Sequence, residues 1–266
     1  MLRKRLIVFT TLAIALALPG VARAQGTQCP PNPPTGATID GGLDVNGPCA
    51  IDNVTVNGGI TIEEGGDLQL TNSTVNGGIL TLPCAELYVN AITGVGTPTN
   101  TPSAINGGID IIASTECTTP GASSDADIWT AQIDGGISMS GMFMPGVYPY
   151  ICGNQIKGSV HIDNVTVTEA GPPPSPLEGA IGDPDAPLHP CPGNTISGSL
   201  HMTKSLMFAV ESNTIGGSGL ISGSTVELNG NTVNGSLLCS DGTVILPPDG
   251  TDPQGNTVHG KNTCTN

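Results

Sequence analysis

The amino-acid sequence predicts an all-β fold: a single-stranded parallel β-helix of about ten short coils with inserted loops. Three observations point there. A unit of the form Asn-x-(Ile/Val)-x-Gly-(Gly/Ser)-hydrophobic-x-hydrophobic recurs in close or loose versions, with its glycine at Gly41, Gly58, Gly77, Gly107, Gly135, Gly158, Gly198, Gly217, Gly235 and Gly260. The intervals between these glycines are 17, 19, 30, 28, 23, 40, 19, 18 and 25 residues, and the shortest cluster at 17 to 19. A coil of about eighteen residues in three short strands returns the chain to the same angular position, and a longer interval reads as that coil with a loop inserted. Two residues before the glycine stand Ile39, Val56, Val75, Ile105, Ile133, Ile156, Ile196, Ile215, Val233 and Val258, all β-branched and apolar as an interior stack requires.

Taken in order, the chain opens on a basic Met1-Leu2-Arg3-Lys4-Arg5, an apolar run from Leu6 to Leu18, and Val21-Ala22-Arg23-Ala24 with small-x-small spacing. Residues 1–24 therefore read as a secretory signal peptide, with the mature chain expected from Gln25. The apolar run is shorter than the ~20 residues of a spanning helix, and neither a lipobox cysteine nor a C-terminal apolar segment suggests an anchor. Residues 25–36 are proline-rich, which excludes a helix or central strand, and read as a leader held by Cys29.

Residues 37–266 carry the repeats. Two and four residues after the glycine, Leu43/Val45, Ile60/Ile62, Ile109/Ile111, Ile137/Met139, Val160/Ile162 and Leu200/Met202 alternate inward with period two. The register weakens at Gly77 and Gly217, and the last repeat, with Asn262 two after its glycine, reads as a frayed or capping coil. The repeated glycine is expected at a corner whose conformation a Cβ would strain. Outward columns of Thr (Thr38, Thr55, Thr74, Thr195, Thr214, Thr232, Thr257) and of Asx (Asp40, Asn57, Asn76, Asn106, Asp134, Asn234) are expected to hold coils together. Loop insertions are placed at residues 84–104, 113–131, 139–151, 170–193 and 240–255.

Charge and cysteines bound the function. Of seven Lys and Arg, four belong to the leader; the remaining Lys157, Lys204 and Lys261 face 22 acidic residues, a net charge near −19 against −15 for the whole chain. A nucleic-acid partner is excluded on that balance, because phosphate binding needs Lys and Arg; solubility and cation binding are favoured. Eight cysteines in an exported chain predict four disulfides. Cys239 and Cys264 lie four residues after their glycines in consecutive coils, one strand spacing apart, and so should pair. Cys152 and Cys191 each just precede a repeat and should close the proline-rich loop. Cys29–Cys49 and Cys84–Cys117 follow by elimination.

The ten repeats, covering roughly residues 37–264, resemble at the level of fold the right-handed parallel β-helix proteins: pectate lyases, polygalacturonases and repeat-bearing surface proteins and adhesins. The resemblance implies the handedness and little about activity. Lyases of this kind use calcium-binding carboxylates with an Arg or Lys base, and here no arginine follows the leader while the three lysines sit at unrelated registers. A hydrolase needs carboxylates gathered on one face; Asp44 and Asp110 share a register across two intervening repeats, and Asp183 and Asp185 lie in the proline-rich loop. Two other places carry candidate chemistry. His161 and His201 both lie three after their glycine, an outward position in consecutive coils, where they read either as a divalent-metal pair with Asp163 nearby or as solvated surface histidines. Residues 139–151 hold Phe143, Tyr148 and Tyr150, half of the six aromatics beyond the leader, and read either as a patch for a glycan or protein partner or as a cover over a sheet. The expectation is a non-catalytic secreted or cell-surface protein, extracellular or periplasmic, structural or adhesive, with no cofactor beyond a divalent cation and an architecture compatible with end-to-end self-association. The alternative is a carbohydrate-active lyase or hydrolase, and a third reading is binding of an ordered surface such as ice through the Thr-x-Asx columns.

Overall fold

The computed structural model describes residues 26–91, 101–143, 147–166, 179–182, 191–246 and 255–264, with only the backbone of Met207. The signal-peptide reading and Asp183 and Asp185 lie outside these residues. Among the described residues there are 29 short strands and no helix. All ladders are parallel and fall on three faces. The repeat's Thr-x-Asx segment forms a ten-stranded sheet of two-residue strands, from Thr38–Ile39 to Thr257–Val258. The segment after the glycine forms a second face, from Leu43–Val45 to Leu237–Ser240, with Thr27–Cys29 laid over its first strand. A third face runs from Pro48–Asp52 to Val244–Leu246. Nine coils complete all three faces, and a tenth contributes Thr257–Val258 and a single bridge, Leu237 to Asn262.

Register follows the glycine count. Leu43, Ile60, Ile79, Ile109, Ile137, Val160, Leu200, Gly219 and Leu237 are successive partners, so even the 40-residue interval is one coil with its loop outside. Nine of the ten β-branched residues two before the glycine are buried, and Val258 of the last coil is partly so. Each fully buried Ile, Val or Leu contributes about 1.5–3 kcal/mol. At the two weak registers, Thr81 stands inside where other coils place an aliphatic, and Gly219 leaves room that the Leu237 side chain enters. All four disulfides form as expected, with Cα separations of 4.9 Å for Cys239–Cys264 and Cys152–Cys191, 5.7 Å for Cys29–Cys49 and 5.6 Å for Cys84–Cys117.

Two expectations need correction. The repeated glycines are not left-handed corners: among the ten, only Gly41 has positive φ, +90°. They are required by close stacking. A Cβ on Gly58, Gly77, Gly107 or Gly135 would lie 2.5–2.6 Å from a backbone nitrogen of the preceding coil. A left-handed bend recurs instead between the third face and the Thr-x-Asx face, at Asn53, Asn72, Asn90 and Thr130 and then at Gly153, Gly182, Ser212 and Gly230, and in several coils between the second and third faces, as at Gly65, Cys84, Lys204 and Gly223; asparagine tolerates it better than other side chains. The inserted segments are also shorter than their spacing suggests. Glu86–Val89, Asp125–Trp129, Gly179–Ile181 and Val244–Leu246 are strands of the third face lying inside the segments read as loops, and Tyr150–Cys152 begins inside one. The glycine marks the other two faces, so an insertion hides the third.

The interior also holds a polar column. Asn154, Asn194, Asn213 and Asn231, each four residues before its glycine, are 1% exposed. The Oδ1 of each accepts the backbone N–H one coil earlier: Asn194 N to Asn213 Oδ1 is 2.9 Å and Asn213 N to Asn231 Oδ1 is 3.0 Å. Their Nδ2 groups donate to buried carbonyls, Asn194 to Ile151 at 2.7 Å, Asn213 to Ile181 at 2.6 Å and Asn231 to Val210 at 2.7 Å. Asn256 extends the column to the last coil. In the first coils Ser73 and Ser103 take the place of asparagine. The outward Asx column bonds too, Asn57 to Asp40 at 2.6 Å and Asn76 to Asn57 at 2.9 Å, but in water.

These two columns should respond differently to deletion. Asn213→Ala strands a buried N–H at Asn194 and a buried carbonyl at Ile181, a cost of about 2–4 kcal/mol. Asn57→Ala removes exposed contacts and should cost less than about 1 kcal/mol. Denaturant midpoints of the two variants, at unchanged slope, check the contrast.

Candidate functional site

Stacking of coils turns outward residues into columns as well, and on the third face it gathers acids. Asp67, Glu86 and Asp125 are direct register partners on consecutive strands, and one step along so are Gln69, Tyr88, Asp127 and Tyr150. Adjacent strands are about 4.8 Å apart, so three carboxyl groups share one column beside a fourth. The Tyr88 hydroxyl lies between two of them, 2.8 Å from Asp125 Oδ2 and 3.1 Å from Glu86 Oε2. A phenol has one proton to give, so the pair is satisfied fully only when a carboxyl also carries one.

Residues 114–124 fold over this column. The Cys84–Cys117 disulfide ties the segment to the barrel. Glu64 pins it from the neighbouring corner, accepting Thr119 N at 2.6 Å and the Thr118 hydroxyl at 2.8 Å. The Ser123 hydroxyl donates to Glu86 Oε1. Between segment and sheet is a pocket of about 220 Å³ lined by Asp67 and Glu86, by Gly65, Gly66 and Cys84, and by residues 119–123.

The electrostatics follow from burial without a compensating cation. Burial and the adjacent Asp125 charge push Asp127 up to about 8. Asp125 is pushed up to about 6, again by burial, against the lowering effect of the Tyr88 hydrogen bond. Asp67 is raised by burial and by Glu86, and the Tyr88 phenol is raised by burial and by its acidic neighbours. Asp67 Oδ1 and Asp127 Oδ1 are buried without a hydrogen-bond partner. None of these shifts draws on a lysine; Lys157 is paired at 2.6 Å with Asp134, on the Thr-x-Asx face. A carboxyl that keeps its proton near neutral pH beside others that ionise is the distribution acid–base chemistry uses. Sequence reasoning missed this group. Asp67 and Glu86 lie nine residues after their glycines, Gly58 and Gly77, whereas Asp125 lies eighteen after Gly107. The intervening segment hides the shared register.

The residues singled out from sequence fare unevenly. His161 and His201 are direct register partners, with ring centroids 4.7 Å apart in an edge-on arrangement. Burial and then His161 lower the pKa of His201. Asp163 lies on the same outward face and accepts the Thr203 hydroxyl. Asp44 and Asp110 are separated in register by Thr61 and Leu80. The aromatic residues of 139–151 are placed differently from one another. Phe143 is fully buried in the core, and Tyr148 is partly buried against it. Tyr150 packs beside Trp129, ring centroids 6.3 Å apart. Alternation turns Phe143 inward just past the end of its strand, Ile137–Met142.

Comparison of the chain with protein-family models, with curated proteins and with solved structures returned no match. Among the described residues no helix is long and apolar enough to cross a membrane.

The acidic column makes a signed prediction about pH. An acid whose folded-state pKa is raised stabilises the fold fully below its unfolded value, about 4, and that contribution is lost as pH rises through the folded value. With Asp125 at about 6 and Asp127 at about 8, stability should fall as pH rises from about 4 to about 8. General acidic repulsion has the same sign, so the check is a variant: Asp127→Asn should raise the melting temperature at pH 8 and flatten its pH dependence, read by calorimetry.

Proposed function

We propose that this chain is a non-catalytic extracellular or cell-surface β-helix protein whose role is structural or adhesive. The observation that carries the proposal is the continuous parallel stacking of nine coils, cross-tied by four disulfides. That construction gives a stiff element with three long faces. The disulfides point to an oxidising compartment, which supports export and accords with the signal-peptide reading of residues 1–24. Partners in keeping with this surface are glycans or cell-surface proteins; an acidic chain with three lysines beyond the leader is unsuited to nucleic acid.

The carboxylate column favours one second reading, a carbohydrate-active enzyme, because Asp125 and Asp127 stand side by side with raised pKa values. Ordered-surface binding draws less support. The threonine column is broken by Ala104, Gln132 and Gln155, and the exposed Lys157–Asp134 pair stands on the same face.

A glycan array and a polysaccharide-degradation screen on the same preparation separate the two main readings. Binding without turnover is expected. Turnover that is lost in Asp125→Asn and Asp127→Asn would replace the structural reading with the enzymatic one.

A further inference from the structure

The face that follows the glycine carries an outward column reading Ser138, His161, His201, Leu220 and Leu238 on consecutive coils. Its two imidazoles are neighbours by backbone hydrogen bonding, so their relative position is fixed by the barrel. His161 is exposed and His201 half-buried. We propose that His161 and His201 together bind a divalent transition-metal ion of the imidazole-preferring kind, Cu²⁺ more tightly than Zn²⁺. The site stands apart from the structural reading and from the acidic column, which lies on another face.

Geometry carries the proposal. Imidazole nitrogen binds such ions at about 2.0–2.1 Å, and the ring centre lies roughly 1 Å further, so two rings on one ion at a near-tetrahedral angle have centres about 5 Å apart. The observed 4.7 Å is within a few tenths of that, and since the rings stand edge-on at 67°, rotation about the side-chain torsions is what brings a nitrogen of each onto one ion. Two side chains in register on adjacent strands reach this spacing without moving the backbone, and the strands are held at both ends of the pairing by Val160 with Leu200 and Asp163 with Thr203. Among the described residues no group of three His, Cys, Asp or Glu side chains is placed to hold a metal ion. Solvent therefore completes the coordination, and the site is an exchangeable one. Asp163, two residues from His161 on the same face, is placed to accept a hydrogen bond from a metal-bound water or from a ring N–H. Neutral nitrogen donors with few carboxylates select copper and zinc over magnesium and calcium, and copper leads the divalent series.

The test is titration of the protein, prepared without a histidine tag, with Cu²⁺ and Zn²⁺ by calorimetry in a non-coordinating buffer at neutral pH. One ion per chain is expected, tighter for Cu²⁺. His161→Ala and His201→Ala should each weaken it by at least the ~10-fold that loss of an outer-shell partner alone costs, whereas His259→Ala on the Thr-x-Asx face should leave it unchanged. Electron paramagnetic resonance of the unsubstituted protein with one equivalent of Cu²⁺ should show coupling to two imidazole nitrogens, a readout independent of any variant. Absence of binding, binding retained in the double variant, or a copper spectrum with fewer than two imidazoles would overturn the proposal.

Discussion

Every coil lies one strand spacing from the next, and this distance governs the molecule. The corner asparagines are buried, so the N–H and carbonyl groups beside them must find partners in an adjacent coil. On the Thr-x-Asx side that partner is the asparagine column, which takes an N–H through Oδ1 and gives Nδ2 to a carbonyl. The same distance explains the glycines, whose backbones pass too close for a Cβ. It also explains why Ser159, Ser199, Ser218 and Ser236 follow the glycine in the later coils, each hydroxyl receiving the backbone N–H of the next. The interior asparagines are tolerated because a copy stands one coil away to satisfy each.

That constraint decided how much could be read from sequence. Interior aliphatics must repeat at one angular position, so the ten β-branched residues before the glycine and the alternating pairs after it disclosed two of the three faces. Cysteine positions counted from the same glycines gave Cys239–Cys264, since equivalent residues are direct neighbours. The third face was hidden because insertions fall between it and the marker. Asn213 was visible as part of the repeat, yet whether it pointed inward depended on the left-handed bend at Ser212, which no local pattern announces.

The candidate sites follow the same division. His161 and His201 were legible because no insertion separates them from their glycines, and register alone puts them together. The acidic column was not, because Asp125 reaches its place only after residues 114–124 have looped out. Stacking acts on the two columns in opposite senses. Identical amides satisfy one another, whereas stacked carboxylates repel, and burial, aided by the neighbouring Asp125 charge, pushes Asp127 up to about 8. Phe143 shows a further limit: aromatic content marked its segment, but only strand direction decides whether such a ring faces a partner or the core.

The asparagine column has a direction. Each backbone N–H gives to the asparagine of the following coil, never to the one before, from Ala131 through Asn154, Asn194, Asn213 and Asn231 to Asn256. Asn213 and Asn231 are eighteen residues apart and make equivalent bonds. The segment from one to the other is therefore a closed unit, with an acceptor to offer behind it and a donor to offer ahead. A second copy placed after the first would meet the chemistry it expects at both seams. Adding or removing such a unit would leave the column continuous, so the amide side chain sets the graduation by which the molecule is measured out.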